Sequence, residues 1–92
     1  MCCKTIFEED SVAAIPKGWE LSKHRIRSLS ELKDQPFITY SREVRRKSFE
    51  AFNAVCRLSG FVPNIVQEAE SDIAILGLVA SGLGIALVPD GY

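Results

Sequence analysis

The sequence predicts an α/β fold: a mostly parallel open sheet with helices on both faces, in a single domain. Three observations predict it. Strand-like and helix-like segments alternate along the chain, which favours parallel strands joined by right-handed crossovers. The last three strand segments carry nearly continuous apolar runs, as strands covered on both faces do. The chain has 92 residues, enough for one core and too few for two.

The first element is Ser11 to Pro16 (SVAAIP), a short apolar run closed by proline and read as a buried strand. Cys2 and Cys3 precede it, at a start expected to fray. Lys17 to Arg27 is polar and irregular. Ser28-Leu29-Ser30-Glu31 fits a capping box, and the helix it opens is limited to about two turns because Pro36 disfavours helical geometry at Gln35. Pro36 to Tyr40 (PFITY) is the second strand, rich in β-branched and aromatic residues. A longer helix follows Ser41 and Arg42. Phe49, Phe52 and Cys56 recur on one stripe of it, as do Ala51, Val55 and Leu58. Gly60 terminates the helix, and Phe61 folds back over its last turn. Pro63 to Gln67 (PNIVQ) is the third strand. Ser71 or Asp72 caps the next helix, Ile73 to about Ser81, which is apolar nearly all round and so is expected between layers. After Gly82, Gly84 to Pro89 (GIALVP) is the fourth strand.

Composition narrows the function. The formal charge of -1 argues against the sequence-independent grip on nucleic acid that a strongly basic domain has. Three cysteines without CxxC spacing support neither a disulfide framework nor a zinc site, and fit a reducing cytoplasm. No signal peptide is visible after Met1, and no apolar stretch reaches the length of a membrane span. No metal or other cofactor is expected. His24, the single histidine, lacks a cluster of ligand types around it. Cys56 on the apolar stripe reads as core. Gly82-Leu83-Gly84 follows a helix and precedes a strand, the reverse of the dinucleotide fingerprint.

In an open parallel sheet, ligands bind beyond the carboxyl ends of the strands. Three segments leave there: Tyr40-Ser41-Arg42, Glu68-Ala69-Glu70-Ser71, and Val88-Pro89-Asp90. The first two enter helices, whose free amides favour anions. Arg42, Arg45, Arg46 and Lys47 crowd the start of the long helix, where each cation opposes the helix dipole by about 0.3–1 kcal/mol. A bound carboxylate or phosphate relieves that conflict; the other reading is a solvated basic turn. Glu68 and Glu70 have no neighbouring His or Lys to complete a catalytic set, so an acidic loop or a polar ligand contact is the reading.

The stretch PFITYSREVRRKSFEAFNAVCRLSGFVPNIVQEAESDIAILGLVASGLGIALVP resembles the effector-binding domain of LysR-type transcriptional regulators. Its most specific parts are Val66 to Ala69 and Ile75 to Pro89, with CRLSGF upstream. The resemblance runs from about Phe7 to Gly91. It implies that residues 1–92 are one lobe, the second, of a two-lobed domain like type II periplasmic binding proteins. The first lobe and an N-terminal helix-turn-helix that contacts DNA would lie outside this sequence. It implies SVAAIP antiparallel to GIALVP, and a small-molecule inducer, a carboxylate by the basic helix start, held at Tyr40, Ser41, Arg42, Glu68, Ala69, Val88 and Pro89. It also implies a homo-oligomer formed through the Phe49–Gly60 helix and the Asn64–Gln67 strand. One departure is Trp19-Glu20-Leu21, where relatives often carry His-Pro-Leu. A lobe of a type II solute-binding protein, or a piece of an α/β enzyme, are the alternatives. The former needs an export signal, and the latter a nucleophile–base pair or metal cluster.

Overall fold

The computed structural model describes residues 2–6 and 11–89. The strands are β1 (Cys2–Thr5), β2 (Ser11–Ile15), β3 (Pro36–Tyr40), β4 (Asn64–Ala69) and β5 (Ala86–Pro89), and the helices are α1 (Arg46–Leu58) and α2 (Asp72–Ala80). Two single-turn 3-10 segments, Glu20–Lys23 and Leu29–Leu32, fill the connection from β2 to β3.

The sheet is not mostly parallel, which corrects the expectation from alternation. β2 runs antiparallel to both β1 and β5, and only β3 and β4 form a parallel pair. One parallel bridge, Phe37 to Ile85, joins the three-stranded antiparallel sheet to the two-stranded parallel one. The physical reason lies in residues 16–35. A right-handed βαβ crossover needs a helix long enough to carry the chain back across the sheet. Here the capping residue Glu31 accepts from the Arg27 and Ser28 amides at 2.9 and 3.0 Å, but the helix it opens is one 3-10 turn. An apolar run such as SVAAI says that a strand is buried and nothing about its direction. β2 pairs antiparallel with β5 from Ser11–Pro89 to Ala14–Ala86, as the resemblance implied.

The expected frayed start is also corrected. Cys2 to Thr5 pairs with Ile15 to Val12 as one arm of a hairpin. CCKT carries no clear strand pattern, and an outer strand needs only backbone partners.

Alternation of side chains along the strands separates two cores. Phe37, Ala13, Ile15 and Ile85 face α1 and the 3-10 turns, packing with Ile6, Ile26, Leu29, Leu32, Phe52 and Cys56. Ile38, Tyr40, Ala14 and Ala86 face α2, packing with Ile75 and Val79. Phe37 is the centre of the first core: its ring meets Phe52 edge-on at 5.3 Å and stacks with Phe61 at 6.2 Å. Phe61 reaches that place through a Schellman turn. Gly60 takes φ +93°, and the Phe61 amide donates to the Cys56 carbonyl at 3.1 Å.

Three burial expectations change. Leu58 is 89% exposed, so the core face of α1 is Phe52 and Cys56, with Val55 partly buried against it. α2 is not sandwiched: Ile75 and Val79 are buried while Ile73 is 82% exposed. β4 is an outer strand with Val66, Gln67 and Glu68 exposed, not a strand covered on both faces. No described helix is long and apolar enough to cross a membrane.

β3 and β5 approach most closely at Gly84. A side chain there would place its Cβ 2.7 Å from the Pro36 carbonyl oxygen. The contact lets Ile85 donate to Pro36 at 2.9 Å and Ile38 donate to Ile85 at 2.7 Å. Gly82-Leu83-Gly84 is thus a helix-to-strand turn and a close backbone approach.

Candidate functional site

β3 and β4 are parallel, and the β3–β5 bridge is parallel too, so the three strands end toward one edge. Tyr40, Ser41 and Arg42 leave that edge from β3, Glu68 and Ala69 close β4, and Val88 and Pro89 close β5. Val88 and Pro89 are described by their backbone pairing with Val12 and Ser11; their side chains and Asp90 lie outside the described residues.

The exits from β3 and β4 are stitched together. The Ser41 amide donates to the Ala69 carbonyl at 2.8 Å, and the Arg42 amide donates to the Glu68 carboxylate at 2.7 Å. The Ser41 hydroxyl accepts from the Val44 amide at 3.3 Å. Glu68 therefore braces the turn that leads from β3 into α1. It is not one half of an acid/base pair with Glu70, whose backbone carbonyl is the atom engaged. The start of α2 is capped. The Ser71 hydroxyl accepts from the Ala74 amide at 3.1 Å, and Asp72 adds a carboxylate in the first turn. The start of α2 thus already holds oxygens of the chain itself, whereas Arg45 at the start of α1 makes no side-chain capping bond.

The arginines separate. The Arg42 guanidinium lies 5.7 Å over the Phe49 ring and lines a shallow groove of about 400 Å³ on the outer face of α1, with Asn53 and Arg57. Arg45 turns the other way. Its guanidinium lies 4.8 Å over the Tyr40 ring and donates to the Glu70 carbonyl at 3.3 Å. The Tyr40 hydroxyl donates to the Asp72 carboxylate. Tyr40, Arg45, Glu70 and Asp72 therefore form one cluster across the ends of β3, β4 and α2. Sequence reasoning named Tyr40 as a site residue, placed Arg45 only in a basic run, and took Asp72 only as a cap. The separation of Arg42 from Arg45 was hidden because the residues between them form a turn, where helical periodicity does not apply.

Other candidates fall away from this edge. His24 Nε2 donates to the Glu20 carboxylate at 3.1 Å on an exposed turn. The Cys56 thiol is buried, and desolvation pushes its pKa up to about 12, so it is protonated and unreactive at neutral pH. Among the described residues, no group of three or more His, Cys, Asp or Glu is placed to hold a metal ion. Every buried side-chain nitrogen and oxygen among the described residues has a hydrogen-bond partner.

Similarity to known proteins agrees with this arrangement. The family model for the LysR substrate binding domain matches residues 1–92. The chain is 37% identical over 78 residues to the HTH-type transcriptional regulator AlsR of Bacillus subtilis, covering 85% of this chain and 26% of that protein. It is 33% identical over 86 residues to the HTH-type transcriptional regulator TtuA of Agrobacterium vitis, covering 94% of this chain and 28% of that protein. The chain thus spans between a quarter and a third of these relatives. Among solved structures, the BenM effector binding domain with its effector benzoate matches at TM-score 0.74 and 25% identity, over 88% of this chain and 37% of that one. The effector binding domain of QuiR in complex with shikimate shares the fold at TM-score 0.63 and 22% identity, over 96% of this chain and 41% of that one. The relatives are regulators and the matched structures are effector-binding domains. A family match over the whole length, on a fold whose strand ends converge on a polar edge, leads to one conclusion: this chain belongs to the LysR substrate-binding domain family.

Proposed function

We propose that this chain is one lobe of a two-lobed effector-binding domain, and that the edge formed by Tyr40, Ser41, Arg42, Glu68, Ala69, Val88 and Pro89 supplies its half of the pocket for a small carboxylate. The observation that carries this reading is the Tyr40–Arg45–Asp72 cluster, a cation and hydrogen-bonding groups held rigidly at the strand ends. Two similar domains were solved with benzoate and with shikimate, which supports the choice of a carboxylate. An effector bound between lobes favours the closed arrangement by its differential affinity for it, and moving a switch from 1:99 to 99:1 takes roughly 5.5 kcal/mol of that difference. A DNA-binding part elsewhere in a cytoplasmic regulator reads the change.

The same lobe is proposed to self-associate through the Phe49–Gly60 helix and the Asn64–Gln67 strand. β4 pairs on one side only, with β3, and an outer strand with open backbone groups is a template for another chain. Val66 within β4 is 43% exposed, and Leu58 and Val62, earlier in the chain, are 89% and 70% exposed.

Calorimetric titration with a panel of small carboxylates, matched amides and matched amines tests the effector reading. Binding among the carboxylates supports it, and binding confined to neutral or cationic compounds refutes it.

A further inference from the structure

We infer that Arg45, and not Arg42, is the specificity-determining cation of this edge, and that it selects a monocarboxylate over a dicarboxylate. The inference rests on the effector reading above and goes further by naming the residue and the charge class. Four cations stand near the start of α1, and their surroundings differ. Arg42 is exposed and lies against Phe49 on the outer face of the helix. Arg46 pairs with Glu50 at 4.0 Å along the helix. Lys47 is exposed. Arg45 is half-buried and held from two sides, by the Tyr40 ring and by the Glu70 carbonyl. Both partners fix its position, and neither neutralises its charge. Among the described residues it has no carboxylate within ion-pair distance.

That combination suits carboxylate recognition. A guanidinium presents its remaining N–H donors as a planar fork that matches two carboxylate oxygens, and a pre-positioned fork loses less side-chain freedom on binding. The Asp72 carboxylate is already engaged by the Tyr40 hydroxyl, and Glu68 by the Arg42 amide. These two anions, with exposed Glu70, stand along the same edge. They leave room for one further negative charge at Arg45 and repel a second.

The test is an NMR titration of the ¹⁵N-labelled chain, following backbone amides and arginine Nε–Hε signals, with benzoate, phthalate and benzamide as probes. Benzoate is expected to shift the Arg45 side-chain signal and the Tyr40 and Glu70 amides, phthalate to bind several-fold more weakly, and benzamide to leave the Arg45 signal unmoved. Arg45→Gln is expected to weaken benzoate by about tenfold to a hundredfold, as loss of a charge-assisted pair does. Arg45→Lys should recover part of that loss, Arg42→Gln should weaken benzoate less than Arg45→Gln does, and Lys47→Gln, an exposed cation outside the edge, should change little. If Arg42→Gln abolishes benzoate binding while Arg45→Gln retains it, the assignment to Arg45 is overturned and the carboxylate reading stands. Phthalate binding as tightly as benzoate overturns the charge-class inference alone. If benzamide matches benzoate, or no probe perturbs this edge up to its solubility limit, the effector reading fails and takes the inference with it. Should Arg45→Gln unfold the chain, the wild-type arginine signals still decide between Arg42 and Arg45.

Discussion

Replacing Tyr40 by Phe removes one oxygen atom and tests whether the cluster at the strand ends is a working part of the fold. The ring of Tyr40 is buried against Ile75 and Val79 and carries Arg45 on its face. Phe keeps the ring and its packing, so the loss is confined to the hydroxyl and what it bonds. The acceptor is the Asp72 carboxylate, and hydrogen bonds to charged groups contribute about 1.5–3 kcal/mol. Asp72 is half-buried, so water can partly replace the phenol, which places the expected loss near the lower end, about 1.5–2 kcal/mol. In a domain of this size each 1 kcal/mol moves the melting temperature by roughly 4–8 °C, giving a fall of about 6–16 °C. Urea denaturation of wild type, Tyr40→Phe, Asp72→Asn and the double variant closes a thermodynamic cycle. The coupling between the two sites is expected at about 1–2 kcal/mol. A coupling within the usual additivity error, about 0.3–0.5 kcal/mol, would refute the claim that the phenol and the carboxylate hold the β3 and α2 ends together.

Other outcomes follow from particular contacts. Gly84→Ala puts a methyl group 2.7 Å from the Pro36 carbonyl oxygen; β5 must move from β3, and denaturation should report a loss of about 1–3 kcal/mol, whereas an unchanged midpoint would show that this approach is slack. With Cys2 and Cys3 replaced by Ser, Cys56 should resist a thiol reagent at neutral pH until denaturant is added. Its native pKa, raised by burial to about 12 from the usual 9.0, also carries a sign. Above about pH 9.0 the unfolded thiol ionises while the native one keeps its proton, so stability falls as pH rises through that window, and Cys56→Ala should flatten the fall. Leu58→Lys combined with Val66→Lys should shift sedimentation at high concentration toward the monomer; wild-type protein that is monomeric at every concentration removes the self-association reading.

How much was legible in the sequence depended on the range of the interaction involved. The end of α1 is set by Gly60 and Phe61 within one turn of the chain, and local chemistry was enough to place it. The same holds for Ser71 at the start of α2 and for the apolar run of PFITY. Tyr40, Ser41 and Glu68 could be brought to one edge from sequence because β3 and β4 flank a helix and so run in the same direction. The family resemblance, carried by Val66 to Ala69 and Ile75 to Pro89, identified the LysR family that the family match then showed.

Tertiary structure alone decided the rest. Whether β2 runs with or against β5 depends on a partner more than seventy residues away along the chain, and an apolar pentapeptide presents the same buried faces in either direction. Cys2–Thr5 is a strand because β2 offers it backbone partners. The exposed state of Leu58 and Ile73 depends on what stands opposite them, and the apolar pattern of α1 and α2 contains no such information. Arg42 and Arg45 are alike in sequence, yet the turn from Ser41 to Arg45 sends one to Phe49 and the other over Tyr40. Sequence determined the residue types that could meet at the strand ends, because those follow from neighbours within a turn or a strand. The fold decided which of them do meet, because that is fixed by strand direction and by packing between residues far apart in the chain.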